Sequence, residues 1–137
     1  MINALSNALS GLIGAQKRLG ISAENVANAG NEETTSRREG PEAYRAQSAL
    51  QTPLVDQNGT VIGTSVASTD KNPATQSVFN PDSPLADEDG FIDIPNVDYV
   101  DEAININLAE ISFAANAQVI NAVQNLSLAT TGLIDRS

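Results

Sequence analysis

The sequence contains no cysteine and no histidine. Without cysteine the chain has no disulfides, thiolate nucleophiles or zinc–thiolate sites. Without histidine it also lacks the commonest general base and the commonest metal ligand. Serine and threonine are plentiful, but no histidine is present to activate them, and neither phosphate-binding glycine pattern occurs. The composition therefore argues against an enzyme and predicts no catalytic residue, cofactor or metal site.

Large apolar side chains and positive charge are also scarce. The 137 residues include three Phe, two Tyr and no Trp, and 7 basic residues stand against 17 acidic ones, for a net charge of −10. We therefore predict neither nucleic acid nor an anionic membrane surface as a partner, because both require a basic footprint. No apolar run is long enough to cross a bilayer, which predicts no membrane insertion. The N-terminus has no basic start and its apolar residues are spaced, so we expect no cleaved signal peptide.

The first thirty residues have the periodicity of a helix. Apolar residues recur at alternating intervals of three and four, the heptad pattern of a helix that packs against another helix. Gln16, the one polar member, either fixes the packing register or is a tolerated edge residue. Gly11 and Gly14 weaken the helix, which suggests close packing there, and Gly30 is a plausible stop. We call this set the N-terminal seam: Ile2, Leu5, Leu9, Leu12, Gln16, Leu19, Ala23 and Val26.

A second and longer helical pattern occupies the C-terminal part of the chain. Its apolar positions also recur every three or four residues, and the helix is too thinly apolar to fold alone. Its expected partners are the N-terminal helix and then the helices of neighbouring copies. Both helices are rich in Asn, which indicates either a solvated face or hydrogen bonds between packed helices. The C-terminal seam comprises Val97, Val100, Ile104, Leu108, Ile111, Ala115, Gln118, Ala122, Leu126, Ala129 and Leu133.

The region between the helices has little regular periodicity. Residues 29–53 are predicted to be a loop, and Asn58-Gly59 between two β-favouring runs predicts a hairpin within residues 53–66. Residues 67–89 are predicted to be loop because prolines interrupt them, and residues 90–94 alternate like a half-buried strand. The predicted fold is mainly α, with N- and C-terminal helices paired as a coiled coil. Residues 1–29 and 96–137 would form one discontinuous helical domain, and residues 30–95 a loop and hairpin insertion.

Many carboxylates lie just before the C-terminal helix. If Gly90 is placed at the sixth position of an EF-hand loop, Leu85 and Asn96 fall at positions 1 and 12. Both positions require acidic ligands, so the pattern argues against an EF-hand calcium site. Helix capping explains the acids better, since Asn96 or Asp98 can accept from free backbone N–H groups. Asp98, Asp101 and Glu102 also suit the positive end of the helix dipole. We therefore predict that these carboxylates start a helix.

Several motifs resemble flagellar axial proteins, the rod and hook family, and in particular its proximal rod subfamily. The Asn-x-Ala-Asn signature is present at residues 25–28, and the sequence NEETTSRRE follows it where the wider family often has Thr-x-Gly-aromatic-basic. The other motifs follow in the order and spacing of the subfamily, from end to end of the chain. The matching residues are Asn25, Ala27, Asn28, Tyr44, Arg45, Pro84, Gly90, Pro95, Asn96, Val97, Asp98, Phe113 and Asn116.

The resemblance implies a structural subunit of the bacterial flagellar basal body. Such subunits pair their terminal helices and stack helically, with copies of themselves and other rod subunits, into a hollow rod that spans the periplasm near the ring proteins and transmits torque. They leave the cell through the flagellar type III export apparatus, so Ile2 to Leu12 are candidates for export recognition as well as packing. Two other hypotheses are a cytoplasmic export-linked adaptor or chaperone for a rod subunit, and a secreted calcium-binding module.

Overall fold

The computed structural model describes residues 2–34 and 44–134 of the chain. The elements, in chain order, are helix α1 (Ile2–Asn28), strands β1 (Glu33–Thr34), β2 (Gln47–Val55), β3 (Val61–Asp70), β4 (Thr75–Phe79) and β5 (Phe91–Pro95), and helix α2 (Tyr99–Ile134). Two long helices with a small antiparallel β region are consistent with the predicted mainly α class.

The two helices run antiparallel and pack along each other. Near the end of α1, Asn25 donates a hydrogen bond to Glu102 at the start of α2. Further back, Gly11 lies against Asn116, so close that a Cβ on Gly11 would come within 2.5 Å of its Oδ1 atom. Gly14 approaches Val66 of β3 in the same way. The two helix-weakening glycines therefore lie where neighbouring elements approach closely, as the sequence suggested.

Strands β2 and β3 form an antiparallel hairpin that lies along α1 through β3. Asn58-Gly59 lies in its turn, as predicted, and Asp56 Oδ1 accepts hydrogen bonds from the backbone N–H groups of Asn58 and Thr60, both at 2.8 Å. The strands extend well beyond the predicted limits, since Gln47 pairs with Asp70. Residues 47–52 and 67–70 were wrongly predicted to be loop. Their side chains, half-buried at residues 47–49 and exposed at the others, show no apolar alternation, and backbone pairing holds the strands.

The second sheet has three strands in the order β1-β5-β4. Strand β5 confirms the half-buried strand predicted at residues 90–94, and Pro95 is its last residue. Strand β4 falls in a segment wrongly predicted to be loop: the prolines lie on either side of it and leave residues 75–79 free to pair with β5. Of the predicted loop 29–53, residues 35–43 lie outside the described part of the chain.

Helix α2 begins with the predicted acidic cap. Asp98 Oδ1 accepts hydrogen bonds from the backbone N–H groups of Val100 and Asp101, at 2.7 and 3.2 Å. Asn96 does not cap the helix; its side chain donates to the carbonyl of Pro73 at 3.0 Å. The helix therefore starts at Tyr99, and Val97 of the C-terminal seam lies before it.

The core is built mainly from small side chains. Alanine dominates the buried apolar residues, since small side chains allow helices and hairpin to approach closely without a large apolar volume. This agrees with the scarcity of aromatic residues in the sequence. The buried apolar residues are Ala8, Ala15, Ile21, Ala29, Ala46, Val66, Ala74, Ile92 and Ala109.

Candidate functional site

The apolar residues of the N-terminal seam lie largely on the surface of the chain. Ile2 is 83% exposed, and Leu5, Leu9, Leu19 and Val26 are all exposed. Leu12 is half-buried, and Gln16 and Ala23 are exposed. The seam therefore runs beside the contact between α1 and α2 and is not covered by it.

The C-terminal seam faces further outward. At 3.6 residues per turn, most of its helical members lie on the side of α2 away from Glu102, Ala109 and Asn116, which face α1, whereas Leu108 and Leu126 lie on a flank, about 100° from Ala109. Ala115, Gln118, Ala122 and Ala129 are exposed, and the side chain of Leu133 lies outside the described part of the chain. The large exposed members are Val100, Ile104, Leu108, Ile111 and Leu126.

The two helices pack on each other, as expected, but the large seam residues do not form the contact between them. A different stripe of α1 makes that contact, at Ala8, Gly11, Ala15, Ser22 and Asn25. Small side chains on this stripe bring the helix axes close, and the bulky seam residues are left on the flanks and the outer face. Helix α2 consequently carries apolar residues on two faces, which is typical of a helix that becomes buried on both sides.

A buried polar cluster joins the two helices to the base of the hairpin. Asn25, the first residue of the Asn-x-Ala-Asn motif, has no exposed surface. Its Nδ2 atom donates to the carbonyl of Gln47 at 2.8 Å and to Glu102 Oε1 at 2.9 Å. Its Oδ1 atom accepts from Tyr44 Oη at 2.8 Å and from the backbone N–H of Gln47 at 2.9 Å. Four bonds satisfy the side chain, and they fix α1 against β2 and α2 at one register.

Glu102 is the acidic member of this cluster and is only 1% exposed. Its Oε1 atom lies 3.0 Å from Lys71 Nζ. Burial alone would raise the pKa of Glu102, but hydrogen bonds from Ser22, Lys71 and Asn25, together with the charge of Lys71, hold that pKa below its ordinary value. A buried carboxylate with this many donors stays ionised and locks the start of α2 in place.

The sequence predicted only a helix-dipole role for Glu102 and missed its burial. One available signal was the isolation of Lys71, which is the only basic residue between Arg45 and Arg136. Tyr44 belongs to the same cluster. Burial first, and then the charges of Glu24 and Glu102, raise the pKa of Tyr44, so its hydroxyl remains a donor to Asn25.

The other motif residues are distributed along the chain and do not form one site. Asn28 donates to the carbonyl of Glu24 and accepts from Asn31, which closes the end of α1. Arg45 pairs with Asp70 at 2.6 Å across the base of the hairpin. Ala27 and Pro84 are exposed, and Pro95 is buried. Phe113 is partly exposed beside the contact between the helices.

Residues 82–89 form a tight turn rich in Asp and Glu, which we call the acidic turn, and Gly90 follows it. Its φ of +85° favours glycine, and its N–H donates to the carbonyl of Asp87 at 3.0 Å. Asp87 Oδ1 accepts from the backbone N–H groups of Asp89 and Phe91, at 3.0 and 2.8 Å. In the described residues, no group of three or more His, Cys, Asp or Glu side chains is arranged to hold a metal ion. The carboxylate of Asp87 thus shapes the turn.

No helix in residues 2–34 and 44–134 is both long enough and apolar enough to span a membrane. Nor does any buried side-chain nitrogen or oxygen in these residues lack a hydrogen-bond partner. The features with potential function in the described chain are therefore the two exposed seams, the buried polar cluster that sets the helices' register, and the acidic turn.

No protein-family model matches the chain. Among curated proteins, the flagellar basal-body rod protein FlgC of Salmonella typhimurium is 34% identical over 134 residues, covering 97% of both chains. FlgC of Yersinia enterocolitica has the same identity and coverage. FlgC of Borreliella burgdorferi is 26% identical over 144 residues, covering 92% of both chains.

Proposed function

The chain belongs to the FlgC family of flagellar basal-body rod proteins, and on that premise we propose that it assembles into the proximal rod through the two seams. As a member of this family it is a structural subunit of the flagellar basal-body rod. The similarity to whole rod proteins does not support the alternative of a cytoplasmic adaptor or chaperone. We propose no catalytic role for it.

The observation that carries the proposal is the exposure of large apolar residues on the outer side of α2. Ile104 and Ile111 are 52% and 66% exposed on a helix whose opposite side already packs on α1. An apolar stripe of this length is costly in water and becomes favourable once neighbouring helices cover it. The N-terminal seam adds a second uncovered stripe beside the same helix pair.

In this proposal the helix pair, residues 1–29 and 96–137, packs against helices of copies of the chain and of other rod subunits. Residues 30–95 form the outer insertion, which contacts adjacent subunits and lies near the basal-body ring proteins. Helical stacking of such units gives a hollow shaft across the periplasm that transmits torque and serves as an export channel. Subunits would reach it unfolded through the flagellar type III export apparatus, without signal cleavage.

The buried polar cluster supports a unit that is rigid once folded. Because Asn25 and Glu102 fix the two helices at one register, the two seams are held in a fixed relation on the surface. A rod that transmits torque requires its subunit surfaces to keep that relation under load. The seams would supply the adhesion between subunits, and the cluster would supply the internal alignment.

The test is mass spectrometry of purified hook–basal bodies, with this chain quantified against the other rod subunits. Recovery at a fixed, small number of copies per particle is the expected result. Absence from the particles, together with abundance in the cytosol, would refute assembly into the rod.

A further inference from the structure

A pocket with excess positive charge lies at the junction of α1, α2 and the hairpin. Its volume is about 230 Å³, and its lining includes Arg18, Ser22, Ser48, Lys71, Glu102 and Asn105. Two cations therefore face one carboxylate, in a chain whose net charge is −10. Within the described residues, Arg18 bonds to the amide oxygen of Gln51 and to no carboxylate. The pocket thus has the donors to receive a carboxylate, and they include a guanidinium that is paired with no carboxylate of residues 2–34 and 44–134.

The acidic turn is the complementary surface of the chain. Its tightest part runs from Asp87 to Gly90, so Glu88 and Asp89 are at its apex, and both are exposed. The two bonds to Asp87 Oδ1 hold the apex in one conformation. From residue 72 to residue 135 the sequence contains no Lys or Arg, so the turn belongs to a stretch of the chain whose charged residues are all acidic.

The turn cannot reach the pocket of its own chain. Arg18 precedes the end of α1 by ten residues, which is roughly 15 Å of helix. The turn is attached beyond that end, where Ser83 donates to Glu32 at 2.7 Å. A carboxylate of this turn can therefore enter the pocket only from another molecule.

We propose that the pocket receives the Glu88 carboxylate from the acidic turn of a second copy of the chain. This inference rests on the proposed function and goes beyond it by naming one contact between copies. Pocket and turn are different surfaces, so the pocket of each copy can hold the turn of the next copy. A contact repeated head to tail in this way gives a ring or an open helical assembly, and the proposed rod requires such a repeat.

The aromatic pair next to the turn extends the same surface. Phe79 and Phe91 stack edge to face with ring centroids 5.4 Å apart, and Phe79 is 63% exposed. Ion pairs near a surface contribute little affinity but strongly affect orientation and partner choice. The seams would therefore supply most of the affinity between copies. The contact of the turn with the pocket would fix the register in which copies stack.

Disulfide trapping tests the contact directly, because the chain contains no native cysteine. The variant with both Arg18→Cys and Glu88→Cys is expressed in cells, and oxidised basal bodies are analysed on a non-reducing gel. The expected result is a ladder of dimers and larger multimers of this chain, since each copy carries both halves of the contact. Either single variant, and the control with Arg18→Cys and Asn58→Cys at the hairpin turn, should give no ladder.

Recovery of the chain in the same particles separates this inference from the proposed function. Particles that contain the double-cysteine chain but give no ladder, or give a cross-link to a different protein, would overturn the contact and leave rod assembly intact. Arg18 is chosen over Lys71 because Lys71 partners buried Glu102, whereas Arg18 bonds to Gln51, which is exposed.

Charge exchange provides a second test. Arg18→Glu and Glu88→Arg should each cause loss of motility in soft agar, and the chain with both substitutions should restore it. Normal motility in the single variants would overturn the proposal. Loss in the single variants without recovery in the double variant would also overturn it, since it would mean that the turn or the pocket contacts another protein.

Discussion

Replacing Ile111 by Asp should abolish rod assembly while leaving the fold of the single chain nearly unchanged. Ile111 is 66% exposed on the outer side of α2. Exposed substitutions change the free energy of unfolding by about 0.5 kcal/mol, and Asp and Ile differ little in helix propensity. At the interface between subunits, however, covering the rest of the isoleucine contributes about 1–2 kcal/mol, and an unpaired buried carboxylate costs several kcal/mol more.

The interface should therefore weaken by roughly 4 kcal/mol per contact, which is about three orders of magnitude in the association constant. The assay is motility in soft agar together with recovery of the chain in basal bodies, and circular dichroism of the purified variant reports the fold. Ile111→Leu keeps the apolar surface and should assemble normally. Leu12→Asp should also prevent assembly. Normal motility of the Ile111→Asp strain would refute the assignment of this surface to assembly.

Three further predictions concern the stability of the folded chain. Because the folded-state pKa of Glu102 lies below its ordinary value of 4.5, its contribution to stability is present above that pH and is lost as the pH falls through the folded-state pKa. In urea titrations the Glu102→Gln variant should have a lower free energy of unfolding at pH 7, and this free energy should vary less with pH below 4.5. If the loss of stability below pH 4.5 were the same in the variant as in the original chain, the role of Glu102 would be contradicted. Gly11→Ala should lower the free energy of unfolding by about 1 kcal/mol, because the new Cβ meets the side chain of Asn116. Gly20→Ala, where nothing lies within 4 Å of the new Cβ, should raise the free energy of unfolding by about 0.5–1 kcal/mol. Equal effects of the two substitutions would show that the close approach at Gly11 is unimportant. Asp87→Asn retains the accepting Oδ1 atom and should leave motility and stability unchanged. Asp87→Ala removes the two hydrogen bonds of the turn and should lower the free energy of unfolding by about 1 kcal/mol or more. Equal stability of the two variants would contradict the role of the Oδ1 atom.

The helices could be predicted from the sequence because their signals are local. The period of three and four residues located both helices, and Asp98 marked the start of α2 through a cap that depends only on the next few residues. The Asn58-Gly59 turn was predictable for the same reason. The sequence did not predict strands β1 and β4 or the base of the hairpin, residues 47–52 and 67–70. These segments carry no apolar alternation and are held by backbone pairing with other strands.

The partner of each helix face could not be obtained from periodicity. Large apolar residues marked the most apolar stripe of each helix, but the contact within the chain uses the stripe of Ala8, Gly11 and Ala15, where small size permits close approach. The role of Glu102 also depends on distant residues, because Asn25 and Lys71 reach it only after the chain has folded. A pattern of apolar residues therefore identified surfaces for helix packing without telling which are covered inside the chain and which are left for neighbours.

Solvent accessibility at residue 111 is the most direct test of the assembly surface. In the cysteine-free chain, Ile111→Cys introduces a single thiol on the outer side of α2, and its rate of maleimide labelling can be compared between the purified chain and purified basal bodies. We predict rapid labelling in the purified chain and strong protection in the particles. Equal labelling rates in both would contradict the claim that neighbouring subunits cover the C-terminal seam.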